Sequence, residues 1–129
     1  MPSYSHAAPG IIEYRGIRMK EFPVGFKSFA GKHVVFSGGG YFRLCPYPIV
    51  KAWSREAGDY LMSYIHPRDL DAGQPMLKNL PLSRKFKSYV GLGRAETKLR
   101  KWLSDFRFVD IEAADKAVDW NAAFHLVLN

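Results

Sequence analysis

An α/β fold with a mixed or partial sheet is what this sequence predicts, over a single domain covering residues 1–129. Three observations carry the prediction. Short apolar runs bounded by Gly, Pro and charged residues read as strands. Between two such runs, at 33–36 and 60–65, lies a segment of helical character, and strand, crossover helix, strand favours parallel pairing. Further on, Leu99, Trp102, Leu103 and Phe106 fall at i, i+3, i+4 and i+7, the apolar stripe of an amphipathic helix spanning Arg94 to Phe106.

The elements follow in order. Met1 to Gly10, with two prolines and small polar residues, reads as an extended lead-in. Ile11 to Tyr14 and Ile17 to Phe22 read as strands about an Arg15-Gly16 hairpin turn, and Pro23 ends the second. Lys27 to Lys32 reads as a turn and His33 to Phe36 as a strand of β-branched and aromatic type. The triple glycine of Ser37-Gly38-Gly39-Gly40-Tyr41-Phe42-Arg43 permits positive φ and close backbone approach. Pro48 suits the first turn of a helix that runs to Ala57 and stops at Gly58, with Ile49, Val50 and Trp53 on its packing side. Tyr60 to Ile65 reads as a buried strand, ended by Pro67. Arg68 to Tyr89 reads as loop, Phe108 to Ile111 as a strand, Glu112 to Val118 as a short helix and Phe124 to Leu128 as a final strand.

Composition narrows the classes of function. Hydrophobic residues make up 47% of the chain and aromatic ones 15%, which excludes general disorder. No apolar run approaches the length of a membrane span, and the N-terminus has neither the basic nor the apolar region of a signal peptide. The single cysteine, Cys45, cannot form an intramolecular disulfide or a thiolate zinc site, and fits a cytoplasmic setting. The net charge is +7, and the segment from Lys78 to Arg107, with nine basic residues against Glu96 and Asp105, accounts for all of it. Such a surplus suits a solvated helix face, a nucleic acid or an anionic glycan.

Chemistry concentrates in Tyr64-Ile65-His66-Pro67-Arg68-Asp69-Leu70-Asp71. Titratable groups at the C-terminal end of a buried strand are where α/β enzymes keep their reactive residues. Histidine is the side chain best suited to proton transfer near neutral pH. Asp69 and Asp71 read as turn caps that orient their neighbours. If the strand at 34–36 neighbours that at 60–65, Arg43 and His66 reach one rim. The four histidines are too scattered for a complete metal site, and neither a phosphate-binding loop nor a nucleophile elbow is present.

The combination of Lys20-Glu21-Phe22-Pro23, Phe36-Ser37-Gly38-Gly39-Gly40-Tyr41-Phe42-Arg43-Leu44 and Tyr64 to Asp71 with Gln74-Pro75 resembles the C-terminal portion of bacterial polysaccharide deacetylases. These are the nodulation-type enzymes of carbohydrate esterase family four, in the branch associated with exopolysaccharide clusters. The resemblance covers roughly residues 1 to 107. It implies the C-terminal part of a distorted (β/α) barrel and removal of N-acetyl groups from a bacterial surface glycan. It also implies a divalent metal, usually zinc, in the complete enzyme, with an Asp as base and a late His as proton donor. His66 matches that histidine and is the expected catalytic residue, with Asp69 or Asp71 as the carboxylate that raises its pKa. Arg43, Tyr41, Asp69 and Asp71 are the expected substrate-binding set.

The family's Thr-Phe-Asp-Asp and His-x-x-x-His motifs, which supply base and metal ligands, do not occur here. A metal hydrolase without them has neither nucleophile nor Lewis acid. The expectation is therefore a chain inactive alone, holding no metal or other cofactor itself, and completed by an N-terminal half or a second subunit. Pro2 to His6 reads like sequence from mid-protein, and unpaired strands predict homo-oligomers or aggregation. Two other classes stay open: a non-catalytic carbohydrate-binding or assembly module, and a basic nucleic-acid-binding domain.

Overall fold

The computed structural model describes residues 8–128; the lead-in and the Pro2 to His6 stretch largely fall outside them. The chain runs β1 (Gly10–Tyr14), β2 (Ile17–Glu21), β3 (Lys27–Phe29), β4 (Lys32–Val34), α1 (Gly39–Leu44), α2 (Tyr47–Glu56), α3 (Leu82–Tyr89), α4 (Leu92–Asp105), α5 (Ile111–Ala117) and β5 (Phe124–Leu128). A 3₁₀ turn, Pro67–Asp69, separates α2 from α3.

Two small sheets result. In the first, of order β2-β1-β5, β1 pairs antiparallel with β2 and parallel with β5. Arg15 and Gly16 both take positive φ, so the hairpin closes through the tight turn whose twist matches the strands. Ala30 and Gly31 do the same for the antiparallel β3–β4 hairpin.

The 27–32 segment, expected as a turn, thus includes a strand, and the strand expected at 33–36 is displaced to Lys32–Val34. Its partner is β3 rather than residues 60–65. Tyr60 to Ile65 is not a strand. One parallel bridge, Gly38 to Tyr64, is all that forms of the expected parallel ladder. The reason is that the chain turns into α1 at Gly39, before a second rung can be made.

Burial is concentrated between helices. Phe36, Phe42, Val50 and Trp102 form the core cluster, ringed by Trp53, Leu61, Leu99, Phe106 and Phe108. Trp102 is fully buried, and its indole N–H donates to Ser54 Oγ at 2.9 Å. Ser54 in turn donates to the Val50 carbonyl at 2.7 Å, so both of these polar side chains in the core are satisfied, whereas the buried Ser37 hydroxyl makes no hydrogen bond. Of the α2 residues expected to pack, Val50 is buried and Trp53 half-buried, while Ile49 is exposed. Leu103, expected in the α4 stripe, is also exposed because the neighbouring helices cover only the Trp102 side.

Two further expectations are corrected. Residues 82–89, expected as loop, form α3, whose Leu82, Phe86 and Tyr89 recur at helical spacing. Residues 108–110 make no ladder, and Asp110 instead caps α5 by accepting from Ala113 N at 2.8 Å. Among the described residues no helix is long and apolar enough to cross a membrane.

Candidate functional site

The Ser37-Gly38-Gly39 segment brings the two distinctive stretches together. Tyr64 N donates to Ser37 O and Gly39 N donates to Tyr64 O, each at 3.1 Å. A Cβ on Gly38 would lie 2.0 Å from the Tyr64 carbonyl oxygen, so this approach excludes every residue but glycine. The backbone then enters α1, which places Phe42 and Arg43 inward and Tyr41 outward.

Arg43 is 7% exposed, and its guanidinium organises three segments. Nη1 donates to Ser88 O at 2.8 Å and Val90 O at 3.2 Å, and Nη2 donates to Lys87 O at 2.9 Å. These carbonyls lie at the end of α3, where helices leave acceptors unpaired and cations are favoured. Nε faces Asp69 Oδ1 at 3.2 Å, a pair with both side chains at least nine-tenths buried. The other oxygen, Asp69 Oδ2, accepts from the His66 backbone N–H at 3.1 Å. Arg43 thus fastens the His66 turn to α1 and α3 through Asp69.

His66 itself is exposed, with its ring edge-on to Tyr64 at 4.6 Å between centroids. Neither expected carboxylate is hydrogen-bonded to the His66 ring. Asp69 is held by Arg43, and exposed Asp71 accepts from Gly73 N at 2.9 Å in a local turn. The structure therefore brings Arg43, Asp69 and His66 together, but with a division of labour. Arg43 and Asp69 position the turn from inside, contrary to the expectation that they face a sugar, because both are buried. His66 and Tyr41 reach solvent, and Asp71 is peripheral.

Lys98, in the basic segment that suits a solvated helix face, is half-buried. Its ammonium donates to Phe42 O, Arg43 O and Cys45 O at 2.9, 2.8 and 2.7 Å, capping the C-terminal end of α1. Burial pushes the Lys98 pKa below its ordinary value, and Arg94 acts in the same direction. Burial likewise pushes the Cys45 thiol up, opposed by Lys98, which leaves it a poor nucleophile. Phe86, on α3, was not singled out by sequence. It lies beside Tyr41 and Leu44 in a groove of 340 Å³, and the i, i+4, i+7 spacing of Leu82, Phe86 and Tyr89 was its signal.

Among the described residues no group of three or more His, Cys, Asp and Glu could hold a metal ion, so the side chains present do not fit the divalent metal that the resemblance implies. The model of one protein family, described as the domain of unknown function DUF3473, matches residues 1–116. No curated protein and no solved structure matches the chain.

Proposed function

We propose, from the premise that the chain belongs to the DUF3473 family, that it is the C-terminal segment of a polysaccharide deacetylase acting on an N-acetylated bacterial glycan. Occurrence of that domain at the C-terminus of polysaccharide deacetylase family proteins supports the reading. The observation that carries it is His66, an exposed imidazole on a turn fastened internally by the buried Arg43–Asp69 pair. A proton donor needs that combination, since it must meet substrate in one fixed orientation.

Hydrolysis of an acetamide expels an amine, which leaves readily only when protonated. In this reading His66 supplies that proton, and Arg43 and Asp69 hold its backbone. Nucleophile, base and metal belong to a preceding segment, and no step through them is assigned to this chain. The described α/β unit is then the C-terminal part of the barrel, working in the cytoplasm as the single cysteine suggests.

The test is acetate release from an N-acetylated oligosaccharide by the chain joined to, or mixed with, its deacetylase segment. His66→Ala should lower the rate by about 10²- to 10⁴-fold while leaving circular dichroism unchanged. An unaltered rate in His66→Ala would overturn the assignment. Oligosaccharide binding with no activity in any combination would favour the non-catalytic module.

A further inference from the structure

Three cations, Arg94, Lys98 and Lys101, stand at i, i+4 and i+7 on one face of α4. Like charges at this spacing repel one another along a helix. No acidic residue is among those lining the groove beside this face. Lys98 is engaged by carbonyls rather than by an acid. Lys101 lies over the Tyr47 ring at 4.8 Å, near Asp105, but that carboxylate is already shared by Lys51 and Tyr47. Arg94 makes no ion pair among the described residues.

These cations line a groove of 840 Å³ that also contains Leu44 and Val90. Leu44 and Val90 equally line the 340 Å³ groove that holds Tyr41 and Phe86. The two hollows share Leu44 and Val90 in their linings, so an aromatic hollow and a cationic groove lie side by side. Tyr41 and Phe86 are 48% and 57% exposed, so their rings are available to a ligand. The aromatic hollow is also lined by Gly40, close in the chain to the Gly38–Tyr64 bridge that precedes His66.

We infer that these adjoining hollows bind an extended acidic glycan, with a sugar ring stacked at Tyr41 and Phe86 and its carboxylate-bearing neighbour at Arg94 and Lys101. The inference rests on the deacetylase reading for the choice of a glycan, and adds that the polymer is anionic. Aromatic faces hold sugar rings through their apolar C–H surfaces. Arg94, which makes no ion pair among the described residues, and Lys101 add attraction that depends on salt. Neither hollow is lined by His66, which separates this binding surface from the proton-transfer locus.

The experiment titrates the chain with an oligogalacturonate, a neutral chito-oligosaccharide of equal length and a single-stranded oligonucleotide, monitored by calorimetry. The oligogalacturonate should bind at least about tenfold more tightly than the neutral oligomer. Tyr41→Ala or Phe86→Ala should each weaken it about tenfold, and Arg94→Glu with Lys101→Glu should abolish it. These positions are exposed, so unchanged unfolding midpoints will certify the variants. Equal affinity for the neutral oligomer, or indifference to the charge reversal, would overturn the proposal. Equal or tighter binding of the oligonucleotide with the same residue dependence would overturn it in favour of a nucleic-acid surface. His66→Gln keeps the two readings apart: it should retain acidic-glycan binding even as it loses deacetylation.

Discussion

Arg43 and Asp69 show how a pair of charges can serve a site without touching substrate. Removing water from both is costly and is offset by their mutual attraction at 3.2 Å, by three carbonyls on Arg43 and by the His66 amide on Asp69, although the buried Arg43 Nε makes no hydrogen bond. Deleting one partner leaves the other buried and uncompensated. Arg43→Ala is expected to destabilise the fold by about 3–5 kcal/mol in urea unfolding, with Asp69→Asn costing less because it keeps an acceptor for His66 N. A loss within about 0.5 kcal/mol for Arg43→Ala would show that the pair carries no load. From sequence, Arg43 and Asp69 were visible as charges near His66, but charge gives no hint of depth. Their burial depends on α3, which closes over Arg43 through Lys87, Ser88 and Val90.

At the scale of elements, helix contacts rather than strand pairing organise the site. Gly91, with φ +72°, lets α4 begin against α1, where a Cβ would meet the Arg43 carbonyl oxygen at 2.5 Å. Lys98 then caps α1 from the side, and Asp105 joins the far end of α4 to α2. Hydrogen bonds from Lys51 and Tyr47 hold the Asp105 carboxyl below its ordinary value of 3.8. A depressed carboxyl contributes stability above its unfolded pKa, and that contribution is lost as pH falls through the lower folded value. Thermal unfolding should therefore separate the parent chain from Asp105→Asn at pH 6 and bring them together near pH 2. A separation that persists undiminished at acid pH would refute the role of this ionisation. The Tyr47 hydroxyl is pushed up to about 12, chiefly by burial and then by its hydrogen bond to Asp105.

For the whole molecule, the main feature is an uneven distribution of apolar surface. The strand register places Ile12, Tyr14, Ile17, Met19, Phe124, Leu126 and Leu128 on one face of the first sheet. Five of these, Tyr14, Ile17, Met19, Phe124 and Leu128, are more than 40% exposed. The opposite face carries Glu13, Arg18, Lys20 and His125 together with Ile11 and Val127, and Lys20 ties it to Asp115 of α5 at 2.7 Å. A contiguous apolar face of this kind favours association. Sedimentation of the isolated chain should show self-association that rises with concentration, and Ile17→Lys with Met19→Lys should reduce it with little change in unfolding midpoint. A monomer at every concentration would show that the face is tolerated in water.

The sequence alone was sufficient for what depends on neighbouring residues. The β1–β2 hairpin follows from Arg15-Gly16, α2 from Pro48 and Gly58, α4 from its apolar period, and β5 from alternation, because turn chemistry and periodicity act over a few positions. The motifs around Gly38 and His66 were legible for the same reason. Tertiary structure alone decided which groups face inward. Whether 60–65 pairs along its length or at one rung depends on where a distant segment turns away. Whether Arg43 meets a ligand or Asp69 depends on α3 covering it, and whether Lys98 is solvated depends on α1 ending beneath it. Burial and pairing across 20 or more residues are properties of the assembled chain. His66 needs both levels: sequence marks the imidazole, and the fold turns it outward on a fixed support.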